Sequence, residues 1–350
     1  MAGGAGTRFW PISRSSRPKQ FLDILGTGKT FIRSTFERFA EFIPPENFLV
    51  VTNSTYRELV LEQLPELAPH QILAEPLGRN TAPCIAYAAF RLKATDPDST
   101  MIVTPSDHLI LNEPVFRNVM EEAVEFASSH EALVTIGVQP TRPATGYGYI
   151  QVDRPMHRDG MNKVKTFTEK PNLELAKAFL ASGDFFWNSG IFVWQTRTIL
   201  DAMERLLPDT AQLFASIGND YGTGREEEGI ERIYPECRAI SIDYGIMEKA
   251  DNVYVRCGDF GWSDIGTWGS LYEYLPKDAE DNTESPENLL FDTHGCLVKM
   301  PAGKLAVIEG LDEFIVIDTD DVLMICPKEN EQNIKKFIDT ARFTKGDKFI

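Results

Sequence analysis

Several features are scarce in this sequence of 350 residues, and each scarcity excludes a class of protein. The five cysteines are an odd number and form no Cys-X-X-Cys pair, which argues against a disulfide framework and against a zinc site. We expect buried thiols in a reducing cytoplasm. The cysteines are widely spaced, at Cys84, Cys237, Cys257, Cys296 and Cys326.

Long apolar runs and positive charge are also scarce. No run of about 18 apolar residues occurs, so we expect no membrane-spanning helix. The first residues lack a basic segment followed by an apolar one, so we expect no signal peptide. Lys and Arg number 35 against 52 Asp and Glu, a formal net charge of −17. Such an acidic chain is not expected to bind nucleic acid or an anionic membrane surface.

Apolar runs rich in β-formers alternate with helical patterns through the first two thirds of the chain. Strands are predicted over Phe48–Thr52, Thr100–Thr104 and Ala132–Val138, and helices over Thr81–Lys93 and Pro114–Ser128. Continuous apolar strands separated by amphipathic helices are typical of a sheet covered on both faces. The sequence therefore predicts an α/β domain over residues 1–280, with a Rossmann-like, mixed and mostly parallel sheet.

The pattern changes after about residue 280. Asp281–Asn288 is polar and is interpreted as a linker, and short strand-like runs then follow at roughly ten-residue spacing. An amphipathic helix is predicted over Asn330–Ala341. We expect a small β-rich domain over residues 281–350 that ends in this helix.

The chain opens with a glycine-rich loop followed by basic residues. Glycines allow the backbone to turn tightly and to present N–H groups to phosphate oxygens. Arg8 can hold two oxygens at once, and Lys19 supplies a mobile charge. For the glycines alone, a flexible terminus is an equal alternative, because short glycine strings are weak signals.

Residues 3–21, GGAGTRFWPISRSSRPKQF, resemble the signature loop of the nucleotidylyltransferase family, and in particular its mannose-1-phosphate guanylyltransferase branch. The resemblance implies catalytic roles for Arg8 and Lys19. It also implies a C-terminal unit similar to part of a left-handed β-helix. Nucleotide contacts are implied for Ala2, Gly3, Gly4, Gly6 and Thr7.

In the family that the loop resembles, a hydrophobic strand precedes the loop and lies at the centre of the sheet. This chain starts at Met1, directly before Ala2 and Gly3. Met1 looks like the last residue of that strand. We therefore expect the natural protein to be longer at this end. Loss of a central strand would cost more free energy than the whole stability of a typical domain, which is about 5–15 kcal/mol.

A second motif, Glu75-Pro-Leu-Gly-Arg-Asn-Thr-Ala-Pro83, links a strand to a helix. Asn80 and Thr81 lie where N-cap residues belong, so capping explains part of the motif. The string also resembles the family segment beside the purine, which implies contacts from Glu75, Arg79, Asn80 and Thr81. A Glu carboxylate or a backbone carbonyl would accept from the amino group of guanine, and the sequence leaves both open.

Two aspartates are candidate metal ligands. Asp107 follows the predicted strand Thr100–Thr104, and ligands bind outside the carboxyl ends of strands in open α/β sheets. A turn or cap is the commoner role of an isolated aspartate. Resemblance to the family's two metal aspartates, here Asp107 and Asp264, favours Mg²⁺, which prefers oxygen ligands. We expect the neighbouring His108 to be structural.

Four further strings resemble family segments that lie along the sugar phosphate. They imply a sugar loop at Gly146, Tyr147 and Gly148, hydroxyl recognition by Glu169, and a phosphate contact from Lys170. The alternatives are a hairpin turn for the glycines and a surface ion pair for Glu169 and Lys170. Further contacts to the sugar are implied for Asn188, Asp243 and Tyr244.

The resemblance implies that mannose 1-phosphate and GTP react, with Mg²⁺, to give GDP-mannose and pyrophosphate. It further implies a cytoplasmic, short single-activity form and a homodimer. The same chemistry on another sugar phosphate or nucleotide is one alternative, and a non-catalytic nucleotide-sugar sensor is another. A dinucleotide oxidoreductase is disfavoured, because no Gly-X-Gly-X-X-Gly is followed about twenty residues later by an acidic residue.

Overall fold

The computed structural model describes residues 1–4, 6–152, 160–286 and 288–350. Strands and helices are numbered separately along the chain. The strands are β1 Val50–Asn53, β2 Ile72–Glu75, β3 Thr100–Val103, β4 Leu109–Ile110, β5 Leu133–Val138, β6 Tyr149–Val152, β7 Met161–Thr168, β8 Phe185–Gln195, β9 Val253–Gly258, β10 Trp262–Ser263, β11 Asn288–Phe291, β12 Leu297–Lys299, β13 Ala306–Glu309, β14 Phe314–Asp318 and β15 Leu323–Pro327. The α-helices are α1 Phe31–Ala40, α2 Arg57–Gln63, α3 Thr81–Lys93, α4 Glu113–Ser129, α5 Leu173–Ser182, α6 Thr196–Leu206, α7 Pro208–Ala215, α8 Glu226–Ile233, α9 Trp268–Tyr272 and α10 Ile334–Lys345.

The chain divides into two compact units, each built from separate stretches of sequence. The first unit contains Met1–Gly3, Phe36–Ser106 and Ile110–Trp262, and the second contains Gly4–Thr35, Asp107–Leu109 and Ser263–Ile350. The sequence-based domain boundary at residue 280 is a different division and stays a prediction.

The first unit is built on a six-stranded sheet with the order β3-β8-β5-β9-β7-β6. Strands β3, β5, β6 and β9 run in one direction, while β7 and β8 run the other way, so the sheet is mixed as predicted but its pairing is mostly antiparallel rather than mostly parallel. Because β7 and β8 lie between strands of the majority direction, β5–β9 is the one parallel pair among the described pairings of this sheet. Strands β1 and β2 form a separate parallel pair.

Both faces of this sheet are covered by helices. Along β5, Leu133 packs into a cluster with residues of α3, α6 and α7, whereas Val134 and Ile136 pack into a second cluster with residues of α4. Successive side chains of a strand point to opposite faces, so a strand covered on both sides is apolar throughout. The predicted α/β architecture with helices on both faces is confirmed.

Met1–Gly3 contact strand β1 and the segment that follows β3 in the first unit. The N–H of Ala2 donates to the carbonyl of Val51 at 2.8 Å, and the N–H of Ser106 donates to the carbonyl of Met1 at 3.1 Å. These residues thus lie between β1 and the segment that follows β3. The expected preceding strand stays a prediction.

The second unit packs its first turns and its C-terminal strands around one apolar cluster. Phe9, Trp268, Leu297 and Ile315 are buried in it together with Ile338 of α10. Strands β12 and β14 pair in parallel, β14 and β15 antiparallel, and β11 and β13 in parallel. The terminal helix begins at Ile334, later than predicted, because Lys328–Asn333 forms 3-10 turns first.

All five cysteines are free, and four of them are buried. Among the described residues, the helices are too short or too polar to cross a membrane.

Candidate active site

Four predicted catalytic residues come together in the second unit, and we call Arg8, Lys19, Asp107 and Asp264 the lysine cluster. Lys19 lies in a 3-10 turn that begins after Pro18, and it is 4% exposed. Its Nζ donates to the carbonyl oxygens of Asp107 at 2.7 Å and Asp264 at 2.6 Å, and to Asp107 Oδ2 at 3.1 Å. A lysine ammonium has three protons, so these three acceptors engage all of them.

The glycine-rich loop passes directly over the Lys19 turn. Gly6 has φ 55°, and a Cβ at this position would lie 2.6 Å from the backbone nitrogen of Lys19. Only glycine tolerates both the conformation and the close approach. The carbonyl of Gly4 accepts from Gln20 Nε2 at 2.9 Å. Of the other predicted loop residues, Gly3, Thr7 and Arg8 are exposed, whereas Ala2 is buried.

The turn that carries Asp264 is strained. Ile265 has φ 39°, an outlier for a buried, β-branched residue, and its N–H donates to Ser263 Oγ at 3.1 Å. A Cβ on Gly266 would lie 2.7 Å from Asp264 Oδ2 and 3.2 Å from Arg8 Nη1. The side chains of Asp264 and Arg8 therefore border the same glycine. Strain of this kind is concentrated at functional sites.

The charges around Asp107 favour the ionised form of its carboxyl group. Burial alone would raise the pKa of Asp107, but the positive charges of Lys19 and His108 outweigh burial, and the pKa lies below its usual value. His108, expected to be structural, lies with Nε2 4.0 Å from Asp107 Oδ1.

The donor atoms of the lysine cluster fit a hard cation. Two carbonyl oxygens and a carboxylate oxygen already surround a positive charge, the Lys19 ammonium. Oxygen ligands of this kind suit Mg²⁺. Within the described parts of the chain, no three His, Cys, Asp or Glu side chains lie together as metal ligands, and the pairing of Asp107 with Asp264 on one ion stays a prediction.

A second group in the first unit surrounds the end of β2, and we call Gly3, Glu75, Arg79, Thr81 and Tyr234 the glutamate cluster. The Tyr234 hydroxyl donates to Glu75 Oε1 at 2.6 Å, and both side chains are buried. Burial raises the pKa of Glu75 to about 7, against the opposing effect of the Tyr234 hydrogen bond. A Cβ on Gly3 would lie 3.1 Å from Glu75 Oε2.

The loop after Glu75 is anchored by its own side chains. Arg79 Nη2 donates to the carbonyl of Pro235 at 2.8 Å, and Thr81 Oγ1 accepts from the N–H of Ile242 at 2.8 Å. Asn80 caps α3 by accepting from the Thr81 N–H at 2.8 Å, as its position in the sequence predicted. Its φ of 67° is left-handed, which asparagine tolerates better than most residues.

A third group, also in the first unit, gathers the predicted sugar residues. We call Gly148, Glu169, Lys170, Asn188 and Asp243 the asparagine cluster. Asn188 Nδ2 donates to Asp243 Oδ1 at 2.9 Å, and Lys170 Nζ lies 2.7 Å from Glu169 Oε1. A Cβ on Gly148 would collide with Glu169 Oε2. The structure therefore brings residues from four separate motifs into contact.

The surroundings of Asp243 in the asparagine cluster disfavour its charge. Burial and the Glu169 carboxylate raise the pKa of Asp243 to about 6. Burial lowers the pKa of Lys170, but the hydrogen bond to Glu169 and the nearby negative charges together outweigh burial, and the net shift is upward. Asp243 begins a five-residue π-helix, Asp243–Met247, and Lys170 has φ 48°. Both features are typical of functional sites.

The remaining predicted sugar residues lie around this cluster. The carbonyl of Tyr147 accepts from the Lys170 N–H at 3.2 Å, while Gly146 is exposed and Tyr244 is 46% exposed.

Sequence patterns alone missed two partners of these clusters. Thr135 Oγ1 donates to Asn188 Oδ1 at 3.0 Å, and Tyr234 donates to Glu75. Neither residue lies in a recognisable motif. The one available signal was that a buried tyrosine usually needs a hydrogen-bond partner for its hydroxyl.

Comparison with known proteins gives two family matches. A family described as nucleotidyl transferase matches residues 1–281, and a family described as a mannoseP isomerase/GMP-like beta-helix domain matches residues 287–340.

Individual relatives match nearly the whole chain. A mannose-1-phosphate guanylyltransferase of Klebsiella pneumoniae is 36% identical over 344 residues, which cover 97% of this chain and 72% of that protein. One from Escherichia coli is 36% identical over 346 residues, with the same two coverages. A crystal structure described as mannose-1-phosphate geranyltransferase from Thermus thermophilus superposes with a TM-score of 0.86 at 29% identity, covering 98% of each chain. These matches confirm the predicted fold class, including the C-terminal unit of β-helix type.

Proposed function

We propose, because this chain belongs to the nucleotidyl transferase family, that it transfers GMP from GTP to α-D-mannose 1-phosphate. An enzyme of this family takes a nucleoside triphosphate and a sugar phosphate as substrates. The observation that supports GTP and mannose 1-phosphate as the substrates is the 36% identity, over 97% of the chain, to a mannose-1-phosphate guanylyltransferase of Klebsiella pneumoniae.

In the proposed reaction, a phosphate oxygen of mannose 1-phosphate attacks the α-phosphorus of GTP in line. A new P–O bond forms, the bond from the α-phosphorus to the bridging oxygen breaks, and pyrophosphate leaves with that electron pair. The nucleophile is already an anion, so no general base is required. The barrier comes from repulsion between anions and from charge developing on the leaving group, so positioning and electrostatic stabilisation dominate.

We assign the residues of the lysine cluster to the phosphates. Arg8 and the N–H groups of Gly4 and Gly6 would stabilise the leaving pyrophosphate, and Lys19 would stabilise the charge between the phosphates. Support comes from the buried Lys19 ammonium and from the closeness of Arg8 to Gly266 beside Asp264. Mg²⁺ bound by Asp107 and Asp264 would supply further positive charge to the phosphate oxygens.

The two clusters of the first unit are assigned to the remaining groups of the substrates. Glu75, Arg79, Asn80 and Thr81 would contact the guanosine, together with Gly3, Ala2 and Thr7 of the first loop. Glu169, Asn188 and Asp243 would accept or donate hydrogen bonds at the sugar hydroxyls. Lys170, on a backbone of unusual conformation, would neutralise the attacking phosphate. Gly146, Tyr147, Gly148 and Tyr244 would border the sugar.

We propose further that the protein is cytoplasmic and homodimeric. Five free cysteines support a reducing compartment. An interface is supported by exposed apolar side chains on two paired strands in the C-terminal part of the second unit. They are Leu289 and Phe291 on β11 and Val307 on β13. Light scattering that gives the mass of a monomer at micromolar concentration would contradict the dimer.

The substrate assignment is tested by identifying products. Each of four nucleoside triphosphates is incubated with Mg²⁺ and with mannose 1-phosphate, glucose 1-phosphate or galactose 1-phosphate, and nucleotide sugars are separated by chromatography. GDP-mannose is the expected main product. A UDP-sugar or dTDP-sugar as the main product would show that the protein carries out the same chemistry on another pair of substrates.

A further inference from the structure

Tyr234 is a buried partner of Glu75 that the sequence motifs did not single out. It starts a 3-10 turn, Tyr234–Glu236, directly after α8, and it lies 159 residues from Glu75 in sequence. Tyr234 is 0% exposed and Glu75 is 6% exposed, so a hydrogen bond of 2.6 Å joins two groups that solvent barely reaches. A buried hydrogen bond to a carboxylate is short and strong, and it fixes the orientation of the acceptor.

The two oxygens of Glu75 have different surroundings. Oε1 accepts from Tyr234, whereas Oε2 faces Gly3, where an added Cβ would lie 3.1 Å away. Gly3 belongs to the glycine-rich loop that we assign to the nucleotide. The Tyr234 hydrogen bond thus turns the other carboxylate oxygen toward that loop.

The turn that carries Tyr234 also holds the rest of the motif. Carbonyl oxygens of Tyr234 and Pro235 accept from Arg79 Nε at 3.3 Å and Nη2 at 2.8 Å. One turn therefore fixes the side chains at both ends of the segment from Glu75 to Arg79. Such support allows a binding group to keep its geometry without ligand.

We infer that Tyr234 is a positioning residue for purine selection, which holds the Glu75 carboxylate so that it accepts hydrogen bonds from the N1–H and amino groups of guanine. This inference rests on the proposed function. An ionised carboxylate only accepts hydrogen bonds. Adenine presents an acceptor at N1 where guanine presents a donor, so the same carboxylate would repel it.

The protonation state of Glu75 links this arrangement to pH. The titratable groups that act on Glu75 or on its partner are the Tyr234 phenol, the Cys84 and Cys237 thiols and the amino group of Met1. Burial raises the pKa of Glu75 to about 7, and the Tyr234 hydrogen bond works against that rise. Without the hydroxyl, a larger fraction of Glu75 is protonated at neutral pH, and a protonated carboxyl can donate to N1 of adenine.

The test compares Tyr234→Phe with Tyr221→Phe. Tyr221 is a matched control, because it is also buried and its hydroxyl donates to the carbonyl of Phe214 at 2.9 Å rather than to Glu75. For Tyr234→Phe we expect KM for GTP at pH 7 to rise about tenfold, the cost of losing a hydrogen bond to a charged group. We expect kcat and KM for mannose 1-phosphate to stay unchanged. The acidic limb of the pH profile of kcat/KM for GTP should move to higher pH, and the rise in KM for GTP should be smaller at pH 9 than at pH 7.

A second variant, Glu75→Gln, tests the role of Glu75 even if Tyr234→Phe folds poorly. Glu75→Gln removes the ionisable group, so it should abolish the acidic limb and lower the ratio of GTP to ATP use. Adding Tyr234→Phe to Glu75→Gln should lower that ratio no further. Thermal unfolding of each variant reports any loss of structure separately.

Two results would overturn the inference. One is a pH profile and a GTP to ATP ratio in Tyr234→Phe that match Tyr221→Phe. The other is an acidic limb with its midpoint near pH 7 that survives in Glu75→Gln. Failure of the proposed function looks different, because the unmodified protein would then make no GDP-mannose from GTP and mannose 1-phosphate.

Discussion

The lysine cluster of the second unit and the glutamate cluster of the first unit each hold a carboxyl group, but in opposite electrostatic environments. Asp107 lies beside the Lys19 ammonium, which lowers its pKa, whereas Glu75 accepts from a neutral phenol and has a pKa of about 7. The first arrangement keeps its charge at any physiological pH. The Glu75 carboxyl in the second arrangement changes its charge near neutral pH, where a small shift of its pKa changes the fraction that is ionised. Phosphates and metal need a fixed charge, while recognition of a base needs a defined donor and acceptor pattern.

The asparagine cluster resembles the glutamate cluster in this respect. Asp243 has a pKa of about 6, raised by burial and by Glu169, and its hydrogen bond comes from the amide of Asn188. Glu75 and Asp243 of the first unit thus have raised pKa values, whereas Asp107 of the second unit has a lowered one. Variants in the two units should therefore differ in which kinetic parameter they change.

The largest effect is expected for Lys19→Ala in the lysine cluster. Removal of the ammonium takes away three hydrogen bonds and one electrostatic stabiliser, so kcat should fall about 10²-fold or more. KM for GTP should change much less. Lys177→Ala is the control, because Lys177 is an exposed lysine that pairs with Glu174 at 2.9 Å. Near-normal turnover of Lys19→Ala would remove this residue from the reaction.

An intermediate effect is expected for Asp264→Asn. The variant keeps the backbone carbonyl that Lys19 contacts but loses a negative charge, so the Mg²⁺ concentration for half-maximal rate should rise about tenfold or more. Mn²⁺ binding, followed by electron paramagnetic resonance without substrates, should weaken in parallel. Asp259→Asn, at an exposed position nearby in sequence, serves as the control. Unchanged metal titrations would show that Asp264 is not a ligand.

A smaller effect is expected for Asp243→Asn, and this variant should be more stable than the unmodified protein at high pH. The pKa of Asp243 is raised on folding, so the native state holds a proton that the unfolded state loses between about pH 4 and pH 6. Stability therefore falls as pH rises through that range. The amide avoids this cost, and the free energy of unfolding should rise by about 1 kcal/mol at pH 8 and be unchanged at pH 4.

Chemical denaturation at both pH values measures this difference, and KM for mannose 1-phosphate should rise in the same variant. Glu236→Gln is a suitable control, since Glu236 is exposed and remote from Asn188 in sequence. A variant that is less stable than the unmodified protein at pH 8 would show that the charge of Asp243 is compensated in the folded state.

The sequence predicted several of the strands and helices and most cluster members, but not their relations. Apolar runs identify buried strands without giving their direction, so the antiparallel insertion of β8 between β3 and β5 was not predictable. Motif strings named Lys19, Asp107 and Asp264, yet not that all three ammonium protons bind protein oxygens. Tyr234 was missed because its partner is far away in sequence and its own turn carries no pattern.

The most direct test of the central claim is the rate of pyrophosphate release from GTP at pH 7 with Mg²⁺, measured with and without mannose 1-phosphate. We expect release that requires the sugar phosphate, with GDP-mannose formed in equal amount. Binding of GTP or GDP-mannose without any pyrophosphate release, for every sugar phosphate offered, would contradict it and would indicate a nucleotide-sugar sensor instead.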